Sequence, residues 1–136
     1  MIAFEGPEVI LGISKEDLKS EVQDLANIGK LLPEGAVKDF SSKGDKCSFK
    51  VKGGVSIHLE KDSENLHENV LIRMRTIVPT PVKFSLEVVA TETENGCKCN
   101  VRSDADLNPF TRMMVEPALK SLFEEMSEGM KKRFPI

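Results

Sequence analysis

From residue 36 to residue 107 the chain changes chemical character at every second residue, and this period of two limits the fold more than any other feature. Cys47, Phe49 and Val51 alternate with Ser48, Lys50 and Lys52, and Val55, Ile57 and Leu59 alternate with Ser56, His58 and Glu60. Val70, Ile72 and Met74 alternate with Leu71, Arg73 and Arg75, and Phe84, Leu86 and Val88 with Ser85, Glu87 and Val89. In the last such segment Cys97, Cys99, Val101 and Ala105 oppose Lys98, Asn100, Arg102 and Asp104. Successive side chains of a strand point to opposite faces, so the pattern predicts strands with one dry face and one solvated face. The intervening segments SSKGDK, KGG, KDSEN, VPTP and ENG are hairpin punctuation, with Asn95-Gly96 the strongest turn signal. A continuous antiparallel meander is expected.

A sheet dry on one face requires a covering layer, and only the C-terminal segment is long enough to supply it. Asn108 is a good N-cap and Pro109 a good first helical residue, so a helix is expected from there through residue 132. At ~1.5 Å per residue it would span about 35 Å. Val115, Leu119, Leu122, Phe123, Met126 and Met130 fall on one stripe with Ala118 at its edge, while Glu116, Lys120, Glu124, Glu128 and Lys131 fall opposite. Phe110, Met113 and Met114 lie off that stripe and call for a second apolar environment. They either tuck under a neighbouring segment or line the mouth of a cavity, a use to which flexible thioether side chains are suited. Ahead of the meander, residues 2 to 12 read as a strand broken near Gly6 and Pro7. Ser14, with Asp17 three residues on, opens a helical stretch that Gly29 interrupts and Pro33 ends.

The 136 residues suit one domain, 1–136. A net charge of −3 with interspersed signs gives no positive field for a phosphate backbone, so nucleic acid is not an expected partner. The N-terminal segment has no basic leader and no apolar run approaches a membrane span, so a cytoplasmic protein with no transmembrane segment is expected. Cys97 and Cys99 would point the same way about 7 Å apart on a strand, too far for easy bridging, and the three cysteines read as reduced, packed thiols. Neither they nor His58 and His67 form a zinc-ligand spacing, and no metal or other cofactor is expected. Arg73, Arg75, Lys98 and Arg102 belong to the solvated face, where Glu87 would neutralise much of their charge.

One strand, a short helix pair in GISKEDLKSEVQDLANIGKLLP, a hairpin in CSFKVKGGVSIHLE and a final helix beginning LNPFTRMMVEPALKSLFEEM together resemble the START-like, or SRPBCC, superfamily along the whole chain. The resemblance implies an α+β helix-grip fold: an antiparallel sheet of about seven strands wrapped around a long C-terminal helix, with two short helices after the first strand. It also implies an elongated apolar cavity between helix and sheet, used in most branches for a hydrophobic ligand. That superfamily has no universal catalytic signature, so no catalytic residue is carried over.

The leading expectation is a protein that binds or transfers a small hydrophobic molecule, lipid-like or polyketide- or isoprenoid-like, and is not an enzyme. Leu32, Phe49, Ile57, Ile72, Met74 and Phe84 are expected to line the pocket, together with Leu86, Cys99, Val101, Phe110, Met114 and Ala118. Two alternatives stand beside it. One is an interaction module with a collapsed cavity, working as a homodimer or subunit; the other is a cyclase-like enzyme, which would need an ionisable group facing the interior.

Overall fold

In a computed structural model of the chain, residues 2–32, 37–51, 56–62, 66–78 and 83–136 are described, without the side chains of Ile2, Phe110 and Met114. The elements run β1 (Ile2–Glu5), β2 (Val9–Leu11), α1 (Lys15–Gln23), α2 (Leu25–Leu31), β3 (Lys38–Lys43), β4 (Lys46–Lys50), β5 (Ser56–Lys61), β6 (Val70–Thr76), β7 (Lys83–Thr93), β8 (Gly96–Asp106) and α3 (Pro109–Arg133). The strands form one antiparallel sheet in the order β1-β8-β7-β6-β5-β4-β3, with β2 also paired to β8. This is the expected helix-grip arrangement, with eight strands rather than about seven because the N-terminal strand is divided. Ile2 to Glu5 pair with Ala105 to Arg102, and Val9 to Leu11 pair with Cys99 to Cys97. Between them the Gly6 amide donates to the Val101 carbonyl at 2.8 Å, and Pro7, lacking an amide proton, cannot continue the ladder.

The helix pair is real but breaks elsewhere than expected. Ser14 caps α1 as its spacing suggests, accepting from the Asp17 amide at 3.2 Å. The break falls at Asp24, in extended conformation, whose carboxylate accepts from the Ala26 amide at 3.0 Å and so starts α2. Gly29, expected to interrupt the helix, lies inside α2 against the Phe40 ring. The strongest turn signal is also displaced by one residue. Thr93 pairs with Gly96, leaving Glu94 and Asn95 as the loop. Gly96 is required for another reason: a Cβ there would run into the Leu11 carbonyl of β2.

Alternation predicts the inward face, but Leu71, Ser85 and Glu87, all assigned to the solvated side, are buried too. Leu71 is 1% exposed. The β6–β7 register shifts between Val70 and Ile72, and a bulge of this kind breaks the parity of neighbouring side chains. The Gln23 side chain then donates to the Leu71 carbonyl at 2.6 Å, tying α1 to the bulge.

The sheet is covered by α3. Its N-cap, Asn108, accepts from the Thr111 amide at 2.8 Å, with Pro109 following as expected. Leu119, Leu122, Phe123, Met126 and Met130 are buried, while Lys120, Glu124, Glu128 and Lys131 are exposed. The helix also crosses α2 closely, at Gly129 and the Leu31 carbonyl. Replacing Gly129 by Ala would normally favour a helix by up to about 1 kcal/mol. Here the new methyl group would meet backbone, which cannot rotate away. Gly129→Ala is therefore expected to lower stability by about 3 kcal/mol, read as a fall in the urea midpoint with the slope unchanged.

Candidate functional site

The candidate site is the interior between α3 and the sheet. Cross-strand registers bring its walls together row by row. Phe49 faces Ile57 across β4 and β5, Ile72 faces Val88 and Val88 faces Val101 across β6, β7 and β8, and Phe84 faces Ala105. Met74 lies opposite Leu86, and Cys99 opposite Ala90 and Val9. Of the residues expected to line a pocket, Leu32, Phe49, Ile57, Ile72, Met74, Phe84, Leu86, Cys99 and Val101 are all buried and belong to one apolar cluster. Ala118, on the N-terminal half of α3, is half-buried. The side chains of Phe110 and Met114 lie outside the described residues. Met113 is corrected: it is 80% exposed and finds no second apolar environment.

Polar side chains share the inward parity too: besides the exposed Ser42 and Glu92, partners of Cys47 and Cys97, three stand within the wall. Lys61 is the Cα partner of Met74 and so points to the same side; its ammonium donates to the Gln23 carbonyl at 2.6 Å, closing the C-terminus of α1, and lies 3.7 Å from Asp45. Thr76, partner of Leu59, accepts from the Phe84 amide at 3.1 Å. Ser103, partner of Phe4, is 2% exposed, and its hydroxyl has no hydrogen-bond partner. Each lies two residues from an inward apolar neighbour, so the same alternation that found the wall was the signal for them.

The solvated face carries the charge. Arg75 meets Glu60 at 2.9 Å, Arg102 meets Glu87 at 3.4 Å, Lys98 meets Glu8 at 3.3 Å and Arg73 lies 3.9 Å from Asp62. Arg73 thus stays outside the interior, as its parity requires. A groove of about 390 Å³ is bordered by Arg73, Arg75, Lys83, Asp104 and Asp106 and also by Thr76, Ile77, Val78 and Phe84, so its walls carry both signs of charge beside apolar surface. His58 is half-buried and His67 exposed. Among the described residues, no group of three His, Cys, Asp or Glu side chains is placed to hold a metal ion, and no helix is long and apolar enough to cross a membrane.

The thiols report how dry the interior is. All three cysteines are free and buried. Burial pushes the Cys47 thiol up to about 11, and burial, reinforced by Cys97, pushes Cys99 up to about 12. Cys97 is raised too, by burial and then by Glu92. In the unfolded chain the same thiols ionise near pH ~8.5. The folded protein therefore keeps its full thiol contribution below that pH and loses it as pH rises toward 11 and 12. Native protein at pH 8 should leave all three thiols unreactive to a disulfide reagent and release three on unfolding, and Cys99→Ala should make stability fall less steeply above pH ~9.

The sequence matches no family model and no curated protein. Solved structures do match it over nearly its whole length. Protein XoxI from Bacillus cereus aligns with a TM-score of 0.72 at 11% identity, over 98% of this chain and 96% of the other. A point mutant of norcoclaurine synthase from Thalictrum flavum, in complex with a transition-state analogue, aligns with a TM-score of 0.68 at 13% identity, over 97% and 95%. The di-domain ARO/CYC BexL of the BE-7585A biosynthetic pathway aligns with a TM-score of 0.70 at 13% identity, over 97% of this chain and 46% of that one. A sheet closed around a terminal helix, aligned nearly end to end with these structures, gives this chain the helix-grip fold.

Proposed function

We propose that the protein encloses and carries a small hydrophobic molecule between α3 and the sheet. The observation that carries this reading is the chemistry of the inward positions: among the described residues of β4 to β8 most hold hydrocarbon or sulfur, and the ionisable side chains of that parity are engaged, Lys61 by a helix-terminal carbonyl and Asp45, and the exposed Glu92 by the Lys15 amide. Such a surface binds by removing ligand carbon from water, at about 25 cal/mol per Å². With few polar groups to fix orientation, selection among apolar ligands of similar size is modest. The neighbouring folds support a container. Norcoclaurine synthase has been seen holding dopamine and hydroxybenzaldehyde.

An enzyme of this fold must move protons, which requires an acid or base able to reach the ligand. Lys61 is committed to the end of α1, and Glu87 and Arg102 pair with each other on the solvated side. Binding without turnover is therefore the reading the residues support.

Native mass spectrometry of freshly purified protein is expected to show an apolar species that organic extraction removes. Ala118→Phe, which places a ring on the half-buried flank of α3, is expected to weaken uptake of an added apolar probe by about tenfold, a loss of about 1.4 kcal/mol, while the protein still unfolds cooperatively. Protein that never carries such a species and takes up no probe would overturn the reading.

A further inference from the structure

We infer that Ser103 is the polar anchor of the interior, donating a hydrogen bond to a neutral acceptor, such as a ketone or ester carbonyl, on an otherwise apolar ligand. The inference rests on the apolar-ligand reading above and adds the chemical class of the ligand's polar end. Three observations point to it.

Ser103 lies on the inward face of β8, between Val101 and Ala105 and opposite Phe4 of β1. It is 2% exposed, so water does not solvate its hydroxyl from outside. Among the described residues, the other buried or half-buried hydroxyls of the interior are occupied: Thr76 by the Phe84 amide at 3.1 Å, and Ser127 of α3 by the Phe123 carbonyl at 2.9 Å. The Ser103 oxygen alone among these is left without a partner. A buried hydroxyl normally has one, and alanine in its place would pack in the same space without the cost of desolvation.

The local backbone explains why the hydroxyl is not satisfied from within. Between the Phe84–Ala105 and Glu87–Arg102 pairs, the Ser85 hydroxyl enters the β7–β8 ladder and accepts from the Asp104 amide at 3.2 Å. Ser85 points to the solvated side and takes the free backbone donor of that stretch, so Ser103 on the other side gains nothing from it.

The charge of the surroundings selects the ligand group. Ser103 sits among Phe4, Val101 and Ala105, all buried. Lys61, the nearest inward-parity cation by register, belongs to β5, three strands away from β8, or roughly 14 Å at the usual strand spacing. A carboxylate at Ser103 would lack a counter-charge in a dry site, whereas a carbonyl oxygen needs only the one donor present.

The test compares two probes of matched shape, 2-acetylnaphthalene and 2-ethylnaphthalene, by equilibrium dialysis against wild-type protein and Ser103→Ala. Wild type is expected to bind the ketone about fivefold to tenfold more tightly than the hydrocarbon, the range a single neutral hydrogen bond supplies. Ser103→Ala is expected to abolish that preference, leave the hydrocarbon affinity unchanged, and melt at the same or a higher temperature than wild type. Equal binding of both probes by wild type, or a preference that survives the substitution, overturns the anchor while the apolar-ligand reading stands. A lower melting temperature for Ser103→Ala also overturns it, because the hydroxyl would then have a partner within the fold. Failure of wild type to bind either probe overturns the apolar-ligand reading, and the anchor with it.

Discussion

Leu119, Leu122, Phe123, Met126 and Met130 fasten α3 to the inner face of the sheet, each of them at most 3% exposed. At about 2 kcal/mol for a large apolar side chain taken out of water, they contribute about 10 kcal/mol together, comparable with the entire net stability of an ordinary domain. The contact is not spread evenly along the helix. Its C-terminal half is gripped on several sides: Cys99 lies 3.7 Å from Met130, Gly129 abuts α2, and the Gly12 amide donates to the Phe134 carbonyl at 2.9 Å. In the N-terminal half, Arg112 and Met113 are exposed, and Val115 and Ala118 are only half-buried. Separating helix from sheet therefore costs most at the end that touches α1 and α2 and least at the end that follows β8.

The two faces of the sheet handle polar groups by opposite rules. Outside, charges are paired at separations from 2.9 to 3.9 Å, and pairs open to solvent, such as Lys98 with Glu8, add little stability each. Their effect is to cancel the field of the four cations on β6 and β8. Inside, where no water compensates, each polar group has to find its partner in the fold. Lys61, Thr76 and Ser127 do so through backbone carbonyls or an amide. Ser103 is the member of this set whose requirement the fold leaves open.

The inner wall was legible because strand parity is a property of single residues. Once one apolar position of a strand is placed, the next lies two residues on, and this located Phe49, Ile57, Ile72, Met74, Leu86, Cys99 and Val101 in the interior. The capping serine and asparagine were legible for a similar reason, since a cap depends on contacts within one turn. What escaped were features set by long-range contact. Leu71 is buried because a bulge shifts the register against β7, and no local pattern announces a bulge. Gly96 serves the close approach of β2 more than its own turn, and Gly29 packs under Phe40 instead of ending a helix. Asp24 was passed over as a break because a lone aspartate reads equally well as helix surface. Lys61 and Ser103 were missed differently: their parity was available, but polar identity led them to be left off the dry face.

A shared fold places this chain beside proteins that catalyse reactions in the same architectural space, and the difference must lie in what projects into that space. The helix-grip fold supplies enclosure, which strengthens any electrostatic interaction inside it and makes an unpaired charge costly. An inward acid or base is thus expensive to keep and persists only where another group or a reaction compensates it. In this chain the inward amine is bound to a helix end, the inward thiols are driven toward their neutral form, and the remaining unengaged group is a hydroxyl. A hydroxyl does not change its charge near neutral pH and can only give or accept a hydrogen bond. On the proposed reading, an interior so equipped would discriminate ligands by shape and by one polar atom.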